Sequence, residues 1–148
     1  MARPRAGDWL EDEIGNWQAS GIAIVVSLLE KEEVSDLGLQ GERALCEQHG
    51  IDFLPFPIAD RDVPASMQEA KAFAVTLLGH IADGRAVAIH CRAGIGRSSI
   101  IAGSVLVLEG MSATDALTAI ATARRTPVPD TDAQRLWLAD FETMVAGG

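Results

Sequence analysis

The chain has 148 residues, 48% of them hydrophobic and 22% charged, with a net charge of −9. This is the size and composition of one globular domain that buries a core without staples, and residues 1–148 are read as a single domain. So acidic a chain is a poor match for nucleic acid or an anionic membrane surface, because both require a broad basic face. Neither is expected as a partner, and the protein is expected to act as a monomer. Its two cysteines, Cys46 and Cys91, are too few for a disulfide framework. Thiol chemistry implies a reducing compartment, so a cytoplasmic location is expected. Residues 1–7 lack the apolar stretch of a signal peptide, and the longest apolar runs, 22–29 and 100–108, are too short to span a bilayer.

Asp8 is placed to cap a helix running to Gln18, with Trp9, Leu10, Ile14 and Trp17 at helical spacing and both tryptophans expected in the core. IAIVVSLL, 22–29, is continuously apolar and β-branched, as in a buried parallel strand. Residues 37–50 read as a helix closed by Gly50, and 51–56 as a second strand. PFPIADRDVP, 55–64, holds three prolines and is a loop. Ser66 caps a long helix to about residue 82, and 86–89 form a short third strand. Residues 98–108 are apolar nearly all round and predict a buried central helix. Further helices are expected from Ser112 or Thr114 to about 124, and over 131–145. Strands alternating with helices predict an α/β fold with a mostly parallel sheet.

HCRAGIGRSS, 90–99, lies between the third strand and the buried helix. Open α/β sheets bind ligands at the carboxyl ends of their strands. The first turn of a helix presents unpaired N–H groups, and its dipole favours an anion. Gly94 and Gly96 can take positive φ, which lets the N–H groups of Arg92, Ala93, Gly94, Ile95 and Gly96 curl around one centre. Arg97 supplies a planar fork for two phosphate oxygens. The same field favours the thiolate of Cys91. A thiolate under a phosphate cradle can attack phosphorus and form a phosphocysteine. This chemistry needs neither metal nor cofactor, and none is expected.

His90-Cys91-x5-Arg97-Ser98 resembles the signature loop of the cysteine-dependent protein tyrosine phosphatase superfamily. Residues 20–64 and 85–100 resemble its small dual-specificity members, most of all the kinase-associated phosphatase branch. The low-molecular-weight phosphatases share the Cys-x5-Arg spacing but carry it near the N-terminus, and do not fit. The resemblance implies a dual-specificity phosphatase domain, with a central parallel sheet flanked by helices.

The leaving alkoxide or phenoxide needs a proton, so a carboxylic acid must face the thiol. The 55–64 loop offers Asp60 and Asp62, either of which could instead cap a turn. The resemblance implies Asp60. Tyrosine-specific members begin this loop Trp-Pro-Asp, where this chain has Ile58-Ala59-Asp60. The chain also has no tyrosine, so the ring that deepens their pocket is absent and a shallower site is expected. The resemblance further implies that Ser98 hydrogen-bonds the departing thiolate, that His90 supports the loop, and that Gln134 lies near the hydrolytic water. Arg92 is expected at the pocket rim, and Cys46 reads as a core cysteine rather than a redox partner of Cys91. His49 and His80 have no metal-ligand spacing.

The expected activity is hydrolysis of phosphomonoesters, either phosphotyrosine and phosphoserine/threonine of proteins or a small phosphomonoester. Two alternatives remain open: a silent phosphate-recognition module, and a phosphatase of inositol phosphates or phosphoinositides. The loop carries one extra basic residue, Arg92, and apolar Ile95, which favours phosphoproteins.

Overall fold

The computed structural model describes residues 1–147. The elements in chain order are α1 (Trp9–Ala19), β1 (Ile22–Ser27), α2 (Lys31–Asp36), α3 (Glu42–Gln48) and β2 (Asp52–Pro55). They continue with α4 (Met67–Ala82), β3 (Ala86–His90), α5 (Arg97–Leu108), α6 (Ala113–Arg124) and α7 (Asp132–Gly147). The single α/β domain expected from the sequence is the one found. No helix among the described residues is long and apolar enough to cross a membrane.

The three strands form one parallel sheet in the order β2-β1-β3. β1 is central, and its side chains alternate between two apolar layers, as a pleated strand requires. Val25 packs with Leu10 and Ile14 of α1 and Cys46 of α3. Ile24 and Val26 face Ala74 and Leu77 of α4 and Ile101 and Val105 of α5. α5 is buried on nearly all sides because α6 and α7 cover its outer flank with Leu117, Leu138 and Phe141.

Strand register decides where a ligand can bind. Ser27 pairs with Pro55 on one side and with His90 on the other, so all three strands end in one row. The loops after β1, β2 and β3 therefore leave the sheet together. Backbone bonds stitch them: Phe56 N–H to Ser27 O (2.9 Å), Ile58 N–H to Leu28 O (3.0 Å) and Leu28 N–H to His90 O (3.0 Å).

Several expectations need correction. The helix expected over 37–50 is shorter, because the chain turns at Gly38 (φ 68°) and re-enters helix only at Glu42. A further helix, α2, precedes it. Asp8 precedes α1 but its side chain makes no capping bond. Trp9 is 56% exposed and lies under the Arg5 guanidinium, 4.7 Å from its ring centre, so only Trp17 belongs to the core. Ser66 and Ser112 do cap α4 and α6, accepting from Glu69 N–H and Asp115 N–H.

Candidate active site

β3 delivers Cys91 into the row of strand ends, and α5 begins six residues later with Arg97. The Cys91 thiol is buried, and its Sγ accepts a hydrogen bond from Ser98 Oγ at 3.0 Å. Among the described residues, no protein acceptor takes the N–H groups of Arg92, Ala93, Gly94, Ile95 or Gly96. Five donors around one turn at a helix N-terminus make a cradle for an anion.

The two glycines serve different needs, which corrects the expectation that both take positive φ. Gly94 has φ 74°, and a Cβ there would fall 2.3 Å from the Met1 carbonyl carbon. Gly96 has φ −89°. It is small because the Gln134 carboxamide lies against it, 2.8 Å from where a Cβ would be.

Arg97 is 2% exposed and heavily bonded. Its Nη1 donates to Glu33 Oε1 (2.6 Å), Ile58 O (2.9 Å) and Leu28 O (3.4 Å). Its Nη2 donates to Glu33 Oε2 and Asp60 Oδ1, both at 3.0 Å. Burial opposes the guanidinium charge. The bonds and charge of Glu33, with Cys91 and Asp60 nearby, override it and raise the Arg97 pKa above its ordinary value. The loops after β1 and β2 thus fix the cation that the β3 loop presents.

Glu33 is the principal residue that sequence reading missed. It sits in the first turn of α2, where its Oε1 also accepts the N–H of Glu30 in a capping box. Arg92 Nε donates to its Oε2 at 2.9 Å. Arg92 therefore reaches the rim tethered. Burial would raise the Glu33 carboxyl; the bonds from Arg97, Glu30 N–H and Arg92 overcome this and lower it to about 2.

The sign of the linkage follows. An unfolded glutamate binds its proton near pH 4.5, while folded Glu33 releases it down to about pH 2. Its contribution to stability is full above the first value and is lost as pH falls through the second. Glu33→Gln is expected to lower the urea midpoint clearly at pH 7 and much less near pH 3. Equal losses at both values would show that charge pairing is not what Glu33 supplies.

Asp60 stands over the cradle, half exposed, with Oδ1 on Arg97 and Oδ2 4.0 Å from Arg92 Nε. Asp62 points elsewhere: its Oδ1 accepts the N–H of Val63 at 2.7 Å. Gln134 is fully buried. Its Oε1 accepts from Asp130 N–H and Thr131 N–H (both 3.1 Å), and its Nε2 donates to Asp62 O at 3.0 Å. It thereby clasps the Asp60 loop to the start of α7. Arg61 (φ 60°) adds a second clasp, Nη1 to Asp130 Oδ2 at 2.9 Å.

His90 is buried between Glu42 Oε2 (2.6 Å from Nε2) and Cys91 O (3.3 Å from Nδ1). Cys46 lies in the apolar layer on the other face of the sheet from Cys91. Burial, with Glu42 and Glu47, pushes its thiol up to about 12, which makes it unreactive. His49 and His80 bond to Gln18 and Arg85.

A cavity of 70 Å³ opens above Cys91, walled by the signature loop, Asp60, Arg61, Asp130 and Gln134. It has room for a phosphoryl group, and among the described residues no aromatic ring lines it.

A family model described as "Polymorphic toxin system, DSP-PTPase phosphatase" matches residues 1–111. No curated protein matches the chain. Among solved structures, kinase-associated phosphatase with its catalytic cysteine changed to serine aligns with a TM-score of 0.90 at 21% identity, over 99% of this chain and 86% of that one. Tk-PTP in its active form aligns with a TM-score of 0.78 at 27% identity, over 90% and 86%. PTPMT1 in complex with PI(5)P aligns with a TM-score of 0.74 at 20% identity, over 89% and 86%.

Proposed function

The chain belongs to the DSP-PTPase phosphatase family, and on that premise we propose that it hydrolyses phosphomonoesters through a phosphocysteine on Cys91. One observation carries this reading. The Cys91 thiol and the Arg97 guanidinium bracket a loop of free N–H groups, and the Asp60 carboxylate lies 3.0 Å from the same guanidinium.

A phosphoryl group in the cradle places phosphorus over Sγ. Cys91 attacks in line, so the S–P bond forms as the P–O ester bond breaks. The N–H groups and Arg97 meet the charge on the equatorial oxygens. Asp60, protonated, gives its proton to the leaving oxygen. The resulting carboxylate then takes a proton from water, whose oxygen attacks phosphorus and breaks the P–S bond. Ser98 Oγ–H, already on Sγ, stabilises the departing thiolate. Gln134 holds the Asp60 loop in place; both lone pairs of its Oε1 are already used.

The substrates are phosphotyrosine and phosphoserine/threonine of proteins. The cavity has no aromatic wall among the described residues, and its rim cations are committed, Arg92 to Glu33 and Arg61 to Asp130, rather than free for a polyphosphorylated headgroup. A working thiolate places the enzyme in a reducing compartment, the cytoplasm, where it acts as a monomer.

The test is hydrolysis of p-nitrophenyl phosphate in EDTA and reductant, followed by phosphotyrosine and phosphothreonine peptides and PI(5)P micelles. Turnover of the aryl ester and at least one peptide is expected. A kcat/KM for the lipid more than about tenfold above both peptides would move the substrate to phosphoinositides. No turnover, with inorganic phosphate still bound, would make the chain a recognition module.

A further inference from the structure

The cradle works only if its N–H groups point inward, and the structure shows what turns them. A trans peptide is planar, so its C=O and N–H point in opposite directions. A loop carbonyl held on the outside therefore drives the N–H of the next residue into the centre. Three successive loop carbonyls are held this way. Cys91 O faces His90 Nδ1 at 3.3 Å, and the ring is held from its far side by Glu42. Arg92 O accepts the backbone N–H of Arg3 at 3.1 Å. Ala93 O accepts Arg124 Nη2 at 3.2 Å.

Glu42 is the least ordinary of these groups. It opens α3, where a glutamate usually faces water and the helix dipole. Here it is 1% exposed and reaches a histidine 48 residues away. A buried carboxylate is costly unless its partner is well placed. A carbonyl only accepts, so Nδ1 must carry the proton that faces Cys91 O. Glu42 holds Nε2 from the far side and so fixes the plane of the ring, which keeps Nδ1 against Cys91 O. Arg124, at the end of α6, reaches the loop from the opposite flank and lies beyond residues 1–111.

We infer that Glu42 and Arg124 are positioning residues for phosphate capture, holding the carbonyls of Cys91 and Ala93 outward so that the N–H groups of Arg92 and Gly94 face the phosphoryl oxygens. Neither touches the phosphate. The inference rests on the cradle reading above, and it is tested by phosphate binding as well as by turnover.

The variants are Glu42→Leu, Glu42→Gln and Arg124→Met, each checked for folding by its melting temperature. The readouts are the Kd of inorganic phosphate by titration calorimetry, and kcat and KM for p-nitrophenyl phosphate. Glu42→Leu and Arg124→Met are each expected to weaken phosphate binding and to raise KM about tenfold, the scale of one misdirected bond to a charged acceptor. Glu42→Gln can donate its amide to Nε2 and keep the Nδ1 proton on Cys91 O, so it is expected within about threefold of the parent. A purely structural role would lower the melting temperature and leave the phosphate Kd of the folded protein unchanged. That result in either tether, or Glu42→Gln no better than Glu42→Leu, overturns the inference. A parent protein that binds phosphate without turnover, with the variants still weakened, would overturn the enzymatic reading and sustain this one.

Discussion

Cys91→Ser is expected to lower kcat for an aryl phosphate by at least about 10⁴-fold while inorganic phosphate still binds. A thiolate is both a strong nucleophile and a good leaving group, and a serine hydroxyl is neither without a base beside it. In this site the neighbour of Sγ is the Ser98 hydroxyl, which donates to it rather than taking a proton. The variant therefore lacks the attacking anion. Any phosphoserine that did form would lose the leaving group needed for the second step. Binding should survive, because the cradle rests on backbone N–H groups and on Arg97, whose bonds run to Glu33, Leu28 and Ile58 and not to Cys91. A serine hydroxyl in place of the thiol leaves all of those donors where they are. Stopped assays with the aryl ester, alongside calorimetry with phosphate, give both numbers. Turnover above about 1% of the parent rate would take Cys91 out of the nucleophile's place.

The parts of the site that act through local sequence were legible before the structure. The apolar run at 22–29, the helix that is hydrophobic all round and the glycine-rich turn between strand and helix each have a short-range signature. The supports of the site do not. Glu33 belongs to an acidic run that looks like solvated surface, yet it meets Arg97, 64 residues away. Glu42 looks like an ordinary first-turn glutamate, yet it is buried against His90. Both depend on where β1, α3 and β3 place them in three dimensions, and periodicity carries no record of that. Gly96 shows the same limit in a subtler form. Its smallness was visible, but the reason lies in the side chain of Gln134, 38 residues further on. Trp9 and Trp17 share one helical face in the sequence, and only the packing of α3 and β1 decides that Trp17 is covered and Trp9 is not.

The second large effect concerns the acid. Asp60→Asn is expected to lower kcat for an aryl phosphate about 10²-fold, and more for an alkyl phosphate whose leaving group needs the proton more. Asp62→Asn is expected to change kcat less than about threefold, since its carboxylate is spent on the N–H of Val63. The same Asp60 variant should bind inorganic phosphate more tightly than the parent. Asp60 Oδ1 takes an N–H of Arg97 Nη2, and Nη2 is one arm of the fork that a phosphoryl group would use. An arriving dianion must displace the carboxylate from the guanidinium. An amide at position 60 offers the phosphate no competing charge and no proton to give. The two effects must then diverge in one variant, with kcat falling and the phosphate Kd falling too. If Asp62→Asn slows the reaction as much as Asp60→Asn does, the acid is not Asp60. If Asp60→Asn slows the reaction but leaves the phosphate Kd unchanged, the carboxylate does not compete for Arg97.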